Sequence, residues 1–303
     1  MRSNGSVYSE NFSYAFIRSF FLPSLRPAFF KAVPSIFYNF FFCQFRAAFL
    51  PGRIPVTRVD HPMDERIPFV PAWVTIYLDF INFWVRTISF YLRRYRSRAV
   101  APMSDFIKSI GRLYAFAAEV YSKNLSTTKR PFYIARPRFF LIHLMDPHLM
   151  CVPSLHVMVV IHTYLMFAHT ARLLGDEEKL RDQILEMRQG ALAISQAILF
   201  VKQHSVNCIP AALYAMTCFS PELFPVKEAE AFTAQLFSPA PPVCEMTAVK
   251  REHPSAAPAT KIAEEDMAEI KQHILTLYRR FVAEGKTAKS WEEPILNFLR
   301  EMK

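Results

Sequence analysis

Residues 149–171 read LMCVPSLHVMVVIHTYLMFAHTA, and this stretch decides the fold class that the sequence predicts. It contains no Asp, Glu, Lys or Arg over 23 residues. A helix needs about 20 mainly apolar residues to cross the hydrocarbon core of a bilayer. Pro153 and Ser154 stand near its start, and both are residue types that begin helices. We therefore expect a long apolar helix here that spans a membrane.

Further apolar stretches lie on either side of this one. Ile67–Leu92 has Asp79 and Arg86 as its only charged residues, and shorter runs occupy 32–45, 103–121, 189–201 and 205–221. The whole chain of 303 residues is 52% apolar and contains 29 Phe, which excludes a disordered or collagen-like protein. The pattern predicts an all-α fold, a polytopic membrane helical bundle of about six segments in the cell inner membrane. A soluble helical protein is the alternative, because several of the segments are poorly apolar.

Charge is distributed unevenly along the chain. Residues 1–221 contain 25 basic and 13 acidic residues, whereas residues 222–303 contain 11 and 13. A basic, aromatic-rich body favours contact with anionic lipid or phosphate. We expect no nucleic-acid partner, because the basic residues form no long stripe beyond Arg93, Arg94, Arg96 and Arg98. The five cysteines form no CxxC pair, so neither a disulfide framework nor a structural zinc site is expected.

The composition changes near residue 222 and divides the chain into three parts. Residues 1–221 are predicted to form the membrane-embedded domain, 222–260 a Pro/Ala-rich linker region and 261–303 a cytoplasmic helical tail. In the tail, apolar residues recur at the spacing of an amphipathic helix, at Ile270, Ile274, Leu277 and Phe281. Such a tail is a candidate docking element for a partner protein.

Three short motifs with chemical potential follow one another in the basic part. The first is Lys129, six residues, then Arg136-Pro137; the second is Pro153-Ser154-Leu155-His156; the third runs from Lys202 through His204 to Cys208. Singly, each is more often a solvated loop, an ordinary helix start or a packed histidine. Their order, and the apolar helices between them, favour one common site.

The residue types fit phosphoryl transfer. The transferring group is stabilised mainly by positioned positive charge and amide donors, which Lys129 and Arg136 supply. Ser154 lies where a helix begins, and the field of a helix N-terminus favours an anion. The two histidines, His156 and His204, can then divide the work, one as nucleophile and the other as general acid. His143 and His148 flank the second motif, and they either face the phosphate or pack.

The motifs resemble those of the phosphatidic acid phosphatase type 2 superfamily, whose signature is Lys-x6-Arg-Pro, Pro-Ser-Gly-His and Ser-Arg-x5-His-x3-Asp. Residues 153–156, 202–206 and 67–71 are similar to its inositol-phosphoceramide-synthase-like branch, and the resemblance covers roughly 60–220. It implies a helical core, no metal or cofactor, and a site at the extracytoplasmic face. It implies that His204 attacks phosphorus to form a phosphohistidine and that His156 protonates the leaving oxygen. Lys129, Arg136 and Ser154 would then bind the phosphoryl oxygens.

The third motif departs from the family pattern at two positions. Cys208 stands where the family has the Asp that orients the nucleophile, and Ile198 stands in place of the Arg. Asn207 and Cys208 are the candidates to orient His204 instead, and Lys202 is a candidate phosphate-binding cation. Two functions stay open: a metal-independent phosphatase or phosphotransferase for a lipid-linked phosphate, and a catalytically silent membrane protein that binds lipid headgroups or a partner.

Overall fold

The computed structural model describes residues 5–50, 52–238 and 262–303 of the chain. Within these ranges the chain forms thirteen α-helices and one pair of short strands. The helices are α1 Phe12–Phe21, α2 Arg26–Ile36, α3 Cys43–Phe49, α4 Val74–Leu78, α5 Phe80–Tyr95, α6 Val100–Tyr121, α7 Pro137–Met145, α8 Leu155–Leu173, α9 Arg181–Phe200, α10 Cys208–Phe219, α11 Val226–Gln235, α12 Glu264–Gly285 and α13 Glu293–Glu301. The strands are β1 Val56–Arg58 and β2 Leu125–Thr127, and a π-helical turn, Phe37–Phe42, joins α2 to α3.

The expected all-helical character is confirmed, but the predicted polytopic membrane bundle is wrong. Across the described ranges, no helix combines the length and the apolar character needed to cross a bilayer. The first six residues of the apolar run, 149–154, lie in a loop before α8. The helix itself carries three histidines, two threonines and Arg172. The predictions of an inner-membrane location and of an extracytoplasmic site depended on such spans and are wrong with them.

Helix α8 is instead the central helix of a protein core. Its side chains are buried around the whole circumference, including the consecutive residues Val157–Ile161. It packs against α9, α5, α10 and α6. A helix that is apolar all round belongs either in a membrane or in the core of a large protein. The 149–171 pattern is therefore explained by packing between helices.

Helices α2 and α6 form another close packing in the molecule. A Cβ atom on Gly111 of α6 would lie 2.9 Å from the Cα atom of Ala32 on α2, so the contact requires glycine. The hydroxyl of Ser35 donates to the Gly111 carbonyl at 2.9 Å. In the segment that follows α2, residues 37–49, Phe40 and Gln44 line a cavity together with Leu155 and His156 of α8.

The two strands pair in parallel and bring distant loops together. Val56 pairs with Leu125, and the ladder continues to Arg58 and Thr127. Immediately beyond it, the amide of Lys129 donates to Oδ1 of Asp60 at 2.7 Å. A further bridge joins Ser126 to Met150. The loops that begin the first and second motifs are therefore neighbours.

The C-terminal segment packs on the main body. The predicted amphipathic helix is confirmed as α12, and its four apolar residues Ile270, Ile274, Leu277 and Phe281 are buried, mainly against α10. Helix α11 occupies part of the region predicted as a linker. The rest of that linker, 239–260, lies outside the described residues.

Candidate functional site

The two histidines of the second and third motifs lie side by side. His156 is in the first turn of α8, which Pro153 and Ser154 precede. His204 is on the loop 201–207 between α9 and α10. Their ring centroids are 5.5 Å apart, with an angle of 71° between the ring planes. Two residues 48 positions apart in the sequence thus share one site.

Aromatic rings hold the imidazole of His156. The ring of Tyr77 is stacked on it with the centroids 4.4 Å apart, and Phe80 contacts it at 4.2 Å. Burial lowers the pKa of His156 to about 4, with a smaller opposing effect from Asp146. The ring is therefore neutral at pH 7 in the free protein.

A backbone carbonyl orients His204. Its Nδ1 atom lies 3.3 Å from the carbonyl oxygen of Cys151. Because a carbonyl only accepts, Nδ1 carries the proton and Nε2 keeps its lone pair. Burial and the neighbouring His156 and His148 lower the pKa of His204 well below its usual value. A neutral imidazole with a free Nε2 lone pair is the form that a nucleophile requires.

Asp64 holds the loop that carries His204. Its Oδ1 accepts from the Val206 amide and its Oδ2 from the His61 amide, both at 2.8 Å. Burial raises the pKa of Asp64, and the hydrogen bond from Ser205 is the strongest opposing effect. The ammonium of Lys202 donates to the Asp64 carbonyl. Lys202, predicted to bind phosphate, is thus directed toward Asp64.

The sequence suggests His204 as the partner of Asn207 and Cys208, but both residues have other partners. Asn207 donates to the carbonyl of Val59 at 3.2 Å and accepts from His273 of α12 at 2.8 Å. Cys208 begins α10, is fully buried, and donates its amide to the Ser205 carbonyl. Asn207 therefore positions α12, and the Cys151 carbonyl has the orienting role that we expected of Asn207 or Cys208.

The other predicted phosphate ligands lie in two different environments. Lys129 and Arg136 are exposed on the loop between β2 and α7, and neither lines the cavity beside the histidines. Ser154 is fully buried at the N-terminus of α8. Its Oγ has no hydrogen-bond partner among the described residues. An unpaired buried hydroxyl next to a helix N-terminus is able to accept a new partner.

The structure adds a cation that the motif search missed. Arg130 donates to the Asp146 carbonyl at 3.0 Å and to the side chain of Gln203 at 3.3 Å. Gln203 directly precedes His204, so this guanidinium joins the first and third motifs. The sequence contains one indication of Arg130, which is its position next to Lys129. The Lys-x6-Arg-Pro spacing instead points to Lys129 and Arg136.

Asp146 and His148 complete the polar side of the site. The His148 amide donates to Oδ1 of Asp146 at 2.8 Å, and Nε2 of His148 lies 2.9 Å from the hydroxyl of Thr128. Burial raises the pKa of Asp146, but its interactions with His148 and Arg130 outweigh this effect and lower it to about 2. The carboxylate is therefore ionised at pH 7. His148, named above as either phosphate-facing or packed, lines the cavity.

The cavity between these groups is small. Its volume is about 20 Å³, enough for about one water molecule. Its lining combines the catalytic candidates with apolar side chains: Phe40, Gln44, Asp146, His148, Met150, Cys151, Leu155, His156 and His204. Phe40 and Gln44 come from the segment 37–49. A phosphoryl group is larger than this space, so the cavity must widen before such a group can reach His204.

The described residues contain no group of three or more His, Cys, Asp or Glu side chains placed to hold a metal ion. Comparisons of the chain with known protein families, with curated proteins and with solved structures found no match. The resemblance to the phosphatidic acid phosphatase type 2 superfamily therefore depends on the short motifs alone.

Proposed function

We propose that this protein is a metal-independent phosphatase or phosphotransferase that acts on a phosphate ester through a phosphohistidine at His204. The observation that carries the proposal is the pairing of His204, held by the Cys151 carbonyl through Nδ1, with His156 at 5.5 Å between ring centroids. The two rings bring a nucleophilic lone pair, on His204, and a proton carrier, His156, to the same space. The resemblance of the motifs adds one element to this proposal, which is that the phosphate ester is linked to a lipid.

In the first step, Nε2 of His204 attacks phosphorus and the bond to the ester oxygen breaks. His156 gives its proton to that oxygen, so the alcohol leaves neutral. In the second step, water attacks the phosphohistidine, its proton returns to His156, and phosphate leaves. In transfer, an acceptor alcohol takes the place of water.

The general acid must be an imidazolium, although His156 is neutral at pH 7 in the free protein. A phosphate dianion bound beside the ring favours the charged form and raises its pKa. In this proposal that dianion is stabilised by Arg130, whose guanidinium donates to Gln203 next to His204, and by the helix N-terminus at Ser154. Substrate binding and protonation of His156 are thus coupled.

The direct test is detection of the intermediate. Purified protein is mixed rapidly with p-nitrophenyl phosphate or with phosphatidic acid in detergent, quenched in base, and analysed by peptide mass spectrometry. We expect an acid-labile phosphate on the His204 peptide, no such product in His204→Ala, and a rate about 10²–10⁴-fold lower in His156→Gln. His169→Ala is the matched control, since His169 lies on α8 outside the cavity. Turnover that persists in folded His204→Ala would refute the proposal.

A second candidate is a catalytically silent protein that binds a phosphate group without turning it over. The small cavity and the ionised Asp146 in its lining favour this second function, because the cavity has room for about one water molecule and a carboxylate repels phosphate. Calorimetry with inorganic phosphate separates the two. Binding that depends on Arg130, without phosphohistidine or turnover, would select the silent protein.

A further inference from the structure

A much larger groove lies on the other side of the segment 37–49. Its volume is about 590 Å³, within the range of ligand pockets for small molecules. The segment separates it from the histidine cavity: Phe40 and Gln44 face the cavity, whereas Tyr38 and Cys43 face the groove. The π-helical turn Phe37–Phe42 forms part of this separation, and π-helical turns occur frequently at functional sites.

The floor and walls of the groove are mainly apolar. Helix α6 contributes Ala115, Ala118 and Tyr121, and the ends of β1 and β2 contribute Val56 and Leu125. The small side chains on α6 leave the space open for a chain of methylene groups. The lining continues to Met150, which also lines the histidine cavity.

Two arginines are among the polar residues of the groove. Arg46 and Arg53 line it and are exposed, and neither forms an ion pair with another described residue. The sequence contains no Asp or Glu from residue 11 to residue 59. Glu119 also lines the groove, and its carboxylate accepts a hydrogen bond from the indole of Trp291 at 2.7 Å. With two arginines and one carboxylate in its lining, the groove carries a net positive charge beside its apolar walls.

We propose that this groove binds a single-chain amphiphile with an anionic head, with the alkyl chain along α6 and the head between Arg46 and Arg53. A mainly apolar groove whose lining includes two arginines matches such a molecule in chemistry and charge. A fatty carboxylate and an alkyl phosphate share this chemistry. The site is independent of the chemistry proposed for His204.

The first experiment is titration of the full-length protein, below the micelle concentration, with dodecanoate and, separately, with dodecyl phosphate. Each added methylene should tighten binding about four-fold until the chain fills the groove. Arg46→Glu/Arg53→Glu should weaken binding at least about tenfold. Arg18→Glu, a charge change on exposed α1, is the matched control. A difference in affinity between dodecanoate and dodecyl phosphate identifies which headgroup, carboxylate or phosphate, the site selects.

Two further arms test the location. Ala118→Trp should fill the channel and abolish binding, whereas His204→Gln should leave it unchanged. In the unmodified chain, dodecanoate should protect Cys43, which lines the groove, from N-ethylmaleimide. It should leave Cys218 on α10, the other half-buried thiol among the described residues, unprotected. Equal labelling of Cys43 with and without dodecanoate, or equal affinity for dodecyltrimethylammonium, would overturn the proposal.

Discussion

Nε2 of His273 donates to Oδ1 of Asn207 at 2.8 Å, and this bond joins helix α12 to the loop that carries His204. The ring of His273 also lies against that of His61, with 4.2 Å between the centroids. His61 in turn donates its amide to Asp64, which holds the same loop. The C-terminal segment, outside the region that resembles the phosphatase family, therefore supports the candidate site.

This relationship predicts that His273→Ala destabilises both the fold and the loop. Loss of the donor leaves the buried Asn207 oxygen unpaired, which costs about 1–3 kcal/mol in the free energy of unfolding. Urea denaturation measures this loss. His273→Gln keeps a donor on a similar side chain and should recover part of it. If His273→Ala and His273→Gln were equally stable, the hydrogen bond would have no role.

The sequence predicted the helical class because its apolar runs are long and periodic. It did not reveal whether lipid or protein covers those runs, because α8 has the same all-round apolar surface in both cases. What covers it is α9, α5, α10 and α6, contacts that no local pattern specifies. The buried face of α12, by contrast, follows from a spacing of four, three and four residues.

The candidate site was predicted in part for a similar reason. Short motifs placed His156 and His204 together, since each lies at a helix end on the same side of the bundle. The partners of Lys202 and Asn207 are long-range, to Asp64 and His273. The role of Arg130 depends on how its loop folds back over Gln203. Such contacts are fixed by tertiary packing, which a motif does not encode.

Arg130 is expected to contribute more to phosphate binding than Arg136. Neither arginine lines the cavity, but the Arg130 guanidinium donates to the Asp146 carbonyl and to the Gln203 side chain, whereas Arg136 is exposed. We expect Arg130→Met to weaken binding of inorganic phosphate at least about tenfold, and Arg136→Met to change it less than threefold. Calorimetry at constant ionic strength measures both. The reverse order would restore the assignment that the motif suggests.

The value of kcat/KM for an ester of constant charge should rise as the pH falls from 7 toward 4. His156 must be protonated to act as the acid, and burial lowers its pKa to about 4. The protonated fraction therefore grows about tenfold for each pH unit in this range. A phosphodiester probe keeps the substrate charge constant. His156→Gln should remove the dependence, and circular dichroism at each pH checks that the fold persists.

The free energy of unfolding should fall as the pH is lowered, and His162 on α8 is the group responsible. Its Nε2 donates to the oxygen of Ser109 at 2.7 Å, because the Ser109 hydroxyl donates to the Phe106 carbonyl. Burial lowers the pKa of His162 from 6.5 to about 3. Between these values the unfolded chain binds the proton and the folded protein does not. The contribution of neutral His162 to the free energy of unfolding is therefore fully present above pH 6.5 and is lost as the pH falls toward 3.

The measurement is urea unfolding of the unmodified protein and of His162→Gln at several pH values from 7 to 4. Glutamine retains a donor for Ser109 and does not titrate. Its unfolding free energy should depend less on pH by up to about 1.4 kcal/mol per pH unit. Parallel slopes for the two proteins would contradict the assignment of this proton to His162.

The pair formed by Asp79 and Arg86 should behave as a buried ion pair. Nη1 of Arg86 lies 2.9 Å from each carboxylate oxygen of Asp79, and the two side chains are only 6% and 8% exposed. The guanidinium also lies over the ring of Tyr8, 5.4 Å from its centroid. Both charges are within the Ile67–Leu92 stretch, so folding brings them into the interior together.

Arg86→Met should lower the free energy of unfolding by about 3–5 kcal/mol, because it leaves the Asp79 carboxylate buried without its main partner. Asp79→Asn/Arg86→Met removes both charges, so it should be less destabilised than Arg86→Met alone. Equilibrium urea unfolding of the two single variants and the double variant gives the coupling energy. Additive losses would show that the two side chains act separately. A loss below about 0.5 kcal/mol for Arg86→Met would place the pair with exposed ion pairs, which contribute little.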